Sequence, residues 1–272
     1  MKKRIISIAS FALIAFATFS CGNRLQNSET TGQIAPDIVI KCDTFKLHEK
    51  LLFDNKDKSS PYLCFDFEMP YSRTGNKDFD NHINKAIAVM VCGNADIHTI
   101  EDAHKEVIKN GYTSYCDFIH SIMDFEEDIH TERNNHYLER IGLMETGYKG
   151  FINYSIIDNF YEGGAHPCHA ERHFNIDPQN GNIITLDDVF KGDYLNELIP
   201  HIEDAVAEYF ECKTFKEALE STNVFNEVFI PDNYLLQKDS IAFIFNEMEI
   251  ARRDFGSIEV KVPYNKIKGF LK

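Results

Sequence analysis

Alternation of apolar and polar residues predicts a β-strand in the first third of the chain. Leu63, Phe65, Phe67 and Met69 fall on one face, and the residues between them are mostly polar. This period of two is typical of a strand with one buried face. A β-like stretch around residues 38–45 precedes it and is expected to pair with it.

The next apolar residues recur at helical spacing. From Phe79 to Val91 they return every three or four positions, and Asp78 is the predicted N-cap. The helical pattern resumes from Val107 to Phe125, beyond a predicted break at Gly111. Helical segments therefore follow the first strands.

Strands return in the middle of the chain, at residues 137–144, 150–160 and 168–176. The pair Gly163-Gly164 lies between the second and third of these, where glycines supply the positive φ angles of hairpin turns. A second turn is predicted in "DPQNGN", residues 177–182. The pattern predicts three antiparallel strands joined in sequence.

The last third alternates helix and strand without βαβ regularity. A helix is predicted over residues 195–210, and the acids of "TLDDVF" before it are interpreted as capping groups. A strand, a turn and a strand follow in 233–250, and then come a strand and a short helix beginning near Pro263. Segregated strands and helices predict an α+β fold with an antiparallel sheet packed against helices.

The first 36 residues differ from the rest. A basic start, an apolar run from Ile5 to Phe19 and a small residue before Cys21 are typical of a bacterial lipoprotein signal. We therefore expect residues 1–20 to be removed, Cys21 to be lipidated and the polar segment 21–36 to be a flexible tether. The folded part is divided into a smaller α+β subdomain at 37–132 and a larger one at 133–272.

Composition limits the classes of partner and cofactor that the protein is expected to bind. The formal net charge is −15, which argues against nucleic acid, since phosphate contacts need a basic surface. Besides Cys21 there are six cysteines without a CxxC pair, and fifteen pairings would be open to them in an oxidising compartment. Apolar surroundings favour buried free thiols instead. Neither a zinc motif nor a cofactor motif is present, and no cofactor is predicted.

Candidate chemistry is concentrated in "YEGGAHPCHAERHFNID", residues 161–177. On a strand, His169, Glu171 and His173 share one face, with the outer histidines about 13 Å apart, too far to share a metal. A zinc site would need His166 from the turn, whereas the simpler interpretation is that His166 hydrogen-bonds within the turn. The predicted ligand-binding residues are Tyr161, Gly163, Gly164, His166 and His169.

The stretch from Tyr148 to Leu271 resembles a known extracytoplasmic domain. The matching features are "YEGGAHP" at 161–167, "FNIDPQNGNIITLDDVF" at 174–190 and the ending "DSIAFIFNEMEIARRDFGSIEVKVPYNKIKGFL" at 239–271. The domain is shared by lysozyme-sensing anti-sigma factors of the RsiV type and peptidoglycan deacetylases of the PdaC type, in which it is not catalytic. Residues 38–128, with "FDNHINKAI" at 79–87, resemble the smaller domain that precedes it.

Departures from those proteins limit what the resemblance implies. Only four residues precede the apolar run, so we expect no anti-sigma activity. The chain stops at Lys272 without a Thr-Phe-Asp-Asp motif, so we expect no deacetylation. The resemblance then implies a non-enzymatic, periplasm-facing lipoprotein of the cell envelope, held on the membrane through Cys21, that binds lysozyme-like proteins or peptidoglycan fragments. The alternative is a metal-dependent hydrolase built on His166, His169 and Glu171.

Overall fold

The structure is a computed structural model that describes residues 40–221, 224 and 227–272. The predicted signal, the tether and Cys21 lie outside the described residues. The strands are β1 (Cys42–Leu52), β2 (Tyr62–Ser72), β3 (His136–Thr146), β4 (Ile152–Tyr161), β5 (Cys168–Ile176), β6 (Tyr234–Leu236), β7 (Ser240–Phe245) and β8 (Ile258–Pro263). The helices are α1 (Lys77–Cys92), α2 (Ile100–Met123), α3 (Leu186–Val189), α4 (Tyr194–Tyr209), α5 (Phe215–Glu220) and α6 (Tyr264–Ile267).

Five strands form one sheet in the order β1-β2-β3-β4-β5, and three form another in the order β6-β7-β8. The α+β prediction is confirmed, as are the antiparallel run β3-β4-β5 and the bounds of β5. One pair departs from the predicted antiparallel sheet, because β2 and β3 are parallel. The helices α1 and α2 lie between them in sequence, and parallel neighbours need such a crossover.

The described residues form two large apolar cores and a small third cluster of Leu235, Ala242 and Ile244. The first lies between the five-stranded sheet and the helices α1 and α2, and it includes Phe65, Phe67 and Tyr154. The second lies within what we call the C-terminal module, residues 184–272, which contains the smaller sheet. The predicted boundary at 132/133 falls between two paired strands of one sheet, and this division into domains stays a prediction. In the described part of the chain, no helix is long and apolar enough to cross a membrane.

Two local predictions about the helices are wrong. Gly111 does not break α2 but lies inside it, where an added Cβ would be 3.1 Å from Cζ of Phe65, so the glycine lets the helix approach β2 closely. The N-cap of α1 is Asn76, whose side chain accepts from the backbone of Phe79. By contrast, the capping role predicted for the acids of "TLDDVF" is confirmed for Asp188, which forms a capping box with Thr185 at the start of α3. Asp187 instead accepts from the hydroxyl of Tyr194.

Candidate functional site

The cluster 161–177 lies on β4, β5 and the turn that joins them. Side chains alternate along these strands, so even-numbered residues of both strands face α1 and α2 while odd-numbered ones face away. On β4 and β5 this second face is buried at Asn153 and Asn175, where the C-terminal module bonds it, and partly exposed towards Tyr161 and His169. On β1, β2 and β3 most of it is exposed. The candidate residues therefore sit at the border between covered and exposed sheet.

His169, Glu171 and His173 form one hydrogen-bonded chain, as their predicted common face suggests. The Glu171 carboxylate lies 2.9 Å from Nε2 of His169 and 3.0 Å from Nε2 of His173. Each imidazole has a second partner, which is Asn159 at 2.8 Å for His169 and Ser155 at 2.7 Å for His173. The hydrogen bond from His173, followed by that from His169, lowers the pKa of Glu171 to about 2 against the opposing effect of burial.

This chain has the order of a serine-histidine-acid triad but not its accessibility. A catalytic serine needs an open side on which a substrate carbonyl can reach its oxygen. Ser155 is 6% exposed and His173 is 8% exposed, with Ser155 buried under the C-terminal module. Every nitrogen of the two imidazoles has a partner among the described residues, so this hydrogen-bonded chain links β4 to β5 at the module border.

Four asparagines complete this border. The outer backbone edge of β5 is capped by Asn233 and Asn246, which bond the backbone of Glu171 and His173 at 2.7 to 3.1 Å. In return, Asn175 donates to the Tyr234 carbonyl at 3.0 Å and accepts from the Leu236 amide at 2.7 Å. Asn153 donates to the Leu236 carbonyl at 3.1 Å. Side-chain amides thus replace a strand ladder between the two sheets, a role that the sequence analysis missed.

In the turn, only one of the paired glycines has the expected backbone. Gly163 has a φ of 79°, and an added Cβ would be 3.0 Å from Nε2 of His136. Gly164 has no positive φ, and an added Cβ would meet only the His166 carbonyl oxygen, at an ordinary contact distance of 3.9 Å. His136 is buried without a hydrogen bond to Nε2 among the described residues, and burial lowers its pKa to about 4. Gly163 is therefore required by both its conformation and its close packing.

The hydrogen bond predicted for His166 within the turn is absent. Its side chain is exposed and has no hydrogen bond or ion pair with any residue that the structure describes. Tyr161, in contrast, stacks on Tyr137 of β3 with ring centroids 6.2 Å apart. Tyr161 and His169 therefore lie on neighbouring strands of the sheet, each with partners there, whereas His166 lies in the turn without one in the described part of the chain.

The described part of the chain shows the state of its cysteines and the placement of its metal-ligating side chains. All six cysteines after Cys21 are free thiols, as predicted, but their predicted burial is wrong, because Cys42 is exposed and the others are only partly buried. No group of three or more histidine, cysteine or acidic side chains within 40–221, 224 and 227–272 is placed to hold a metal ion. The geometry thus gives the metal-dependent alternative no ligand set there.

Two arginines and one aspartate form a buried group of charged side chains on the helix-facing side of the sheet. Arg140 binds both oxygens of Asp158, at 2.6 and 2.8 Å, and Arg172 lies 3.5 Å from the same carboxylate. Their guanidinium groups also donate to the carbonyls of Met90 and Val91 at the end of α1. The last turn of α1 has no basic residue of its own, so the sheet supplies the positive charge that a helix C-terminus favours.

The exposed part of the sheet forms a continuous surface that we call the open face. One cross-strand row joins His48, Asp66, Glu139, Asn159 and His169 across all five strands. A neighbouring row joins Lys50, Cys64, Tyr137 and Tyr161, and Lys50 lies 3.5 Å from the ring centre of Tyr62. The open face thus combines tyrosine rings with a row of acidic, amide and imidazole groups.

Comparison with known proteins identifies one domain. Residues 187–265 match the DUF3298 family, whose function is unknown, so the chain contains a DUF3298 domain, and this domain lies within the C-terminal module. No curated protein is similar enough to this chain to count as a relative.

Two solved structures show the same fold. A DUF3298 family protein from Bacteroides fragilis is 22% identical, with a TM-score of 0.69, over 86% of this chain and 94% of that one. A DUF3298 family protein from Pseudomonas aeruginosa PAO1 is 14% identical, with a TM-score of 0.56, over 87% of this chain and 96% of that one. At these identities the likeness concerns the fold alone. The resemblance to lysozyme-sensing anti-sigma factors and deacetylases is not tested by these matches and stays a prediction.

Proposed function

We propose that this protein is a non-catalytic binding lipoprotein of the bacterial cell envelope, which holds its ligand on the open face of the five-stranded sheet. Cys21 carries the lipid anchor, and residues 21–36 tether the folded part on the periplasmic side. The predicted binding residues Tyr161 and His169 lie on this face, and Gly163 fixes the turn beside them. Gly164 and His166 lie in the same turn, within reach of a large ligand.

The observation that carries this proposal is the contrast between engaged and free polar groups. Both imidazoles of the His-Glu-His chain are engaged, each with one nitrogen on Glu171 and the other on a second side chain. On the open face, Glu139 is exposed and has no hydrogen bond or ion pair with a described residue. It also lies directly opposite Asp66, and like charges in that position are destabilising. A cationic group on a ligand would relieve this repulsion.

Charge favours a basic protein over a glycan fragment. The sequence has an isoelectric point of about 5.1, and removal of the signal would take away Lys2, Lys3 and Arg4 and no acid. Long-range attraction between opposite charges accelerates association. The resemblance noted for residues 148–271 implies lysozyme-like proteins as ligands, and these fit an acidic surface with tyrosine rings, since tyrosine and arginine often dominate interfaces.

Binding of hen-type lysozyme to the purified full-length protein in detergent tests the proposal. We expect Glu139→Gln and Tyr161→Ala each to weaken binding by about tenfold, as interface positions do. The matched control Glu208→Gln removes the same charge from exposed α4 and should change affinity less than about twofold, because salt screens distant exposed charges.

Three results would contradict the proposal or part of it. Equal losses in Glu139→Gln and Glu208→Gln would show that total charge, rather than the open face, determines binding. Retention of muropeptides with no retention of lysozyme would reject the basic-protein ligand and favour the glycan ligand. Absence of binding to either ligand, with the fold intact by circular dichroism, would reject the envelope-binding function.

A further inference from the structure

Strand β1 is an edge of the five-stranded sheet, and its free side can be identified. The Lys41 carbonyl accepts from the Arg73 amide at 2.8 Å, and the Phe53 amide donates to the Pro61 carbonyl at 2.9 Å. Backbone groups of successive residues in a strand point to opposite sides. Odd-numbered residues of β1 therefore bond β2, and the amides and carbonyls of the even-numbered residues point away from the sheet.

The two ends of this free edge are blunted but its centre is not. The Thr44 amide is bonded by the Asp43 side chain at 2.9 Å, and the Leu52 carbonyl is bonded by the Tyr112 hydroxyl at 2.6 Å. Between them, the outward amides and carbonyls of Lys46, His48 and Lys50 have no backbone or side-chain partner in the described parts of the chain. Such a row of unpaired groups is a template for another strand.

The opposite edge of the same sheet is treated differently. Asn233 and Asn246 cap the centre of the β5 edge, namely the amides of Glu171 and His173 and the carbonyl of Glu171, with four hydrogen bonds. The sheet thus has a free edge at β1 and a capped one at β5, and this difference favours pairing of β1 with another strand. Its side chains agree, since Phe45, Leu47 and Leu51 point to the core yet remain partly exposed. Their neighbours on β2, Phe65 and Phe67, are 1% exposed.

We propose that β1 pairs antiparallel with β1 of a second copy of this chain and joins two sheets into one of ten strands. Outward groups pair only with outward groups, so an even-numbered residue lies opposite an even-numbered one. A register centred on Lys46 or on His48 places lysines or histidines opposite each other, which costs stability. A register centred on Leu47 places Lys46 opposite His48 and Thr44 opposite Lys50, with no like charges in direct opposition.

The charge of β1 fits a second copy. The protein as a whole carries a formal charge of −15, but β1 contains two lysines and two acids, and so is balanced where the copies would meet. Pairing would also cover the partly exposed apolar side chains on both copies. The open face would continue from one copy to the next, and the proposal does not depend on which ligand that face binds.

Substitution at His48 tests this pairing. Its amide points outward, so His48→Pro removes one hydrogen-bond donor from each copy of the dimer while leaving the pairing with β2 intact, as proline on an edge strand allows. His48→Ala is the matched control, because it removes the same side chain and keeps the amide. Sedimentation of the full-length protein in density-matched detergent reports the association state, and circular dichroism confirms that each variant is folded.

We expect the wild type and His48→Ala to dimerise alike, and His48→Pro to dissociate at least about tenfold more readily, corresponding to about 1.4 kcal/mol. Amide exchange at Lys46 and His48 should slow as protein concentration rises. A wild type that sediments as a monomer at all concentrations would overturn the proposal. So would equal dimerisation of His48→Pro and His48→Ala, or amide exchange that does not depend on concentration.

Discussion

Replacement of Glu171 by glutamine measures how much the His-Glu-His chain contributes to stability. The isosteric amide keeps the size of the side chain and removes its charge. The pKa of Glu171 lies at about 2 in the folded protein, against an ordinary value of 4.5, chiefly because His173 and then His169 donate to the carboxylate. Since a tenfold change in proton affinity is about 1.4 kcal/mol, the charged form contributes about 3 kcal/mol at neutral pH.

The sign of the pH dependence follows from the direction of the pKa change. A lowered pKa in the folded state means that this stabilisation is present above pH 4.5 and is lost as the pH falls towards 2. Urea unfolding at pH 7 should therefore show Glu171→Gln to be about 3 kcal/mol less stable than wild type, and at pH 3 about 1.5 kcal/mol less stable. A difference that is the same at both pH values would refute the reasoning.

A matched acid-to-amide change gives the control for this experiment. Glu259 lies on β8 with its carboxylate 3.0 Å from Lys261, and both side chains are largely exposed. Exposed ion pairs contribute little, so Glu259→Gln should cost less than about 0.5 kcal/mol at either pH. Equal losses in the two variants would mean that removal of any single carboxylate, rather than the two imidazoles, explains the effect.

Two further substitutions test the border and the turn by urea unfolding. Asn175→Ala removes two hydrogen bonds from a side chain that is 1% exposed and should destabilise the protein by about 2 to 4 kcal/mol; a loss below about 1 kcal/mol would show that water replaces the amide. Gly163→Ala forces a positive φ on alanine and should cost about 1 to 2 kcal/mol, whereas Gly164→Ala should stay within about 0.5 kcal/mol. A larger loss in Gly164→Ala than in Gly163→Ala would contradict the assignment of the positive φ requirement to Gly163.

The strands of the five-stranded sheet could be predicted from the sequence because one face of each is buried by apolar residues. Phe65, Phe67 and Tyr154 alternate with polar residues, and this alternation depends only on local burial. The parallel pairing of β2 and β3 could not be predicted in this way, because the order of strands depends on contacts far apart in sequence. The predicted helix break at Gly111 was wrong for a related reason. Glycine is required there because α2 packs closely against Phe65, and this tertiary contact overrides the low helix propensity of glycine.

The candidate site was predicted only in part. The common face of His169, Glu171 and His173 follows from the period of two, and the structure brings these side chains together. Their partners do not follow from any pattern, because Asn233 and Asn246 lie about sixty or more positions further along the chain. Asparagine is usually typical of turns, and no sequence signal marks an asparagine that caps a distant strand.

The asparagine caps on β5 have a consequence for aggregation. A filament that grows by edge-to-edge pairing needs two free edge strands on every subunit, because each added subunit must offer an unpaired edge to the next one. Here side-chain amides occupy the centre of the β5 edge, at Glu171 and His173, so an added subunit does not offer a second fully free edge there. Growth of such an assembly ends after a single addition, which suits a protein expected to be concentrated on a membrane surface.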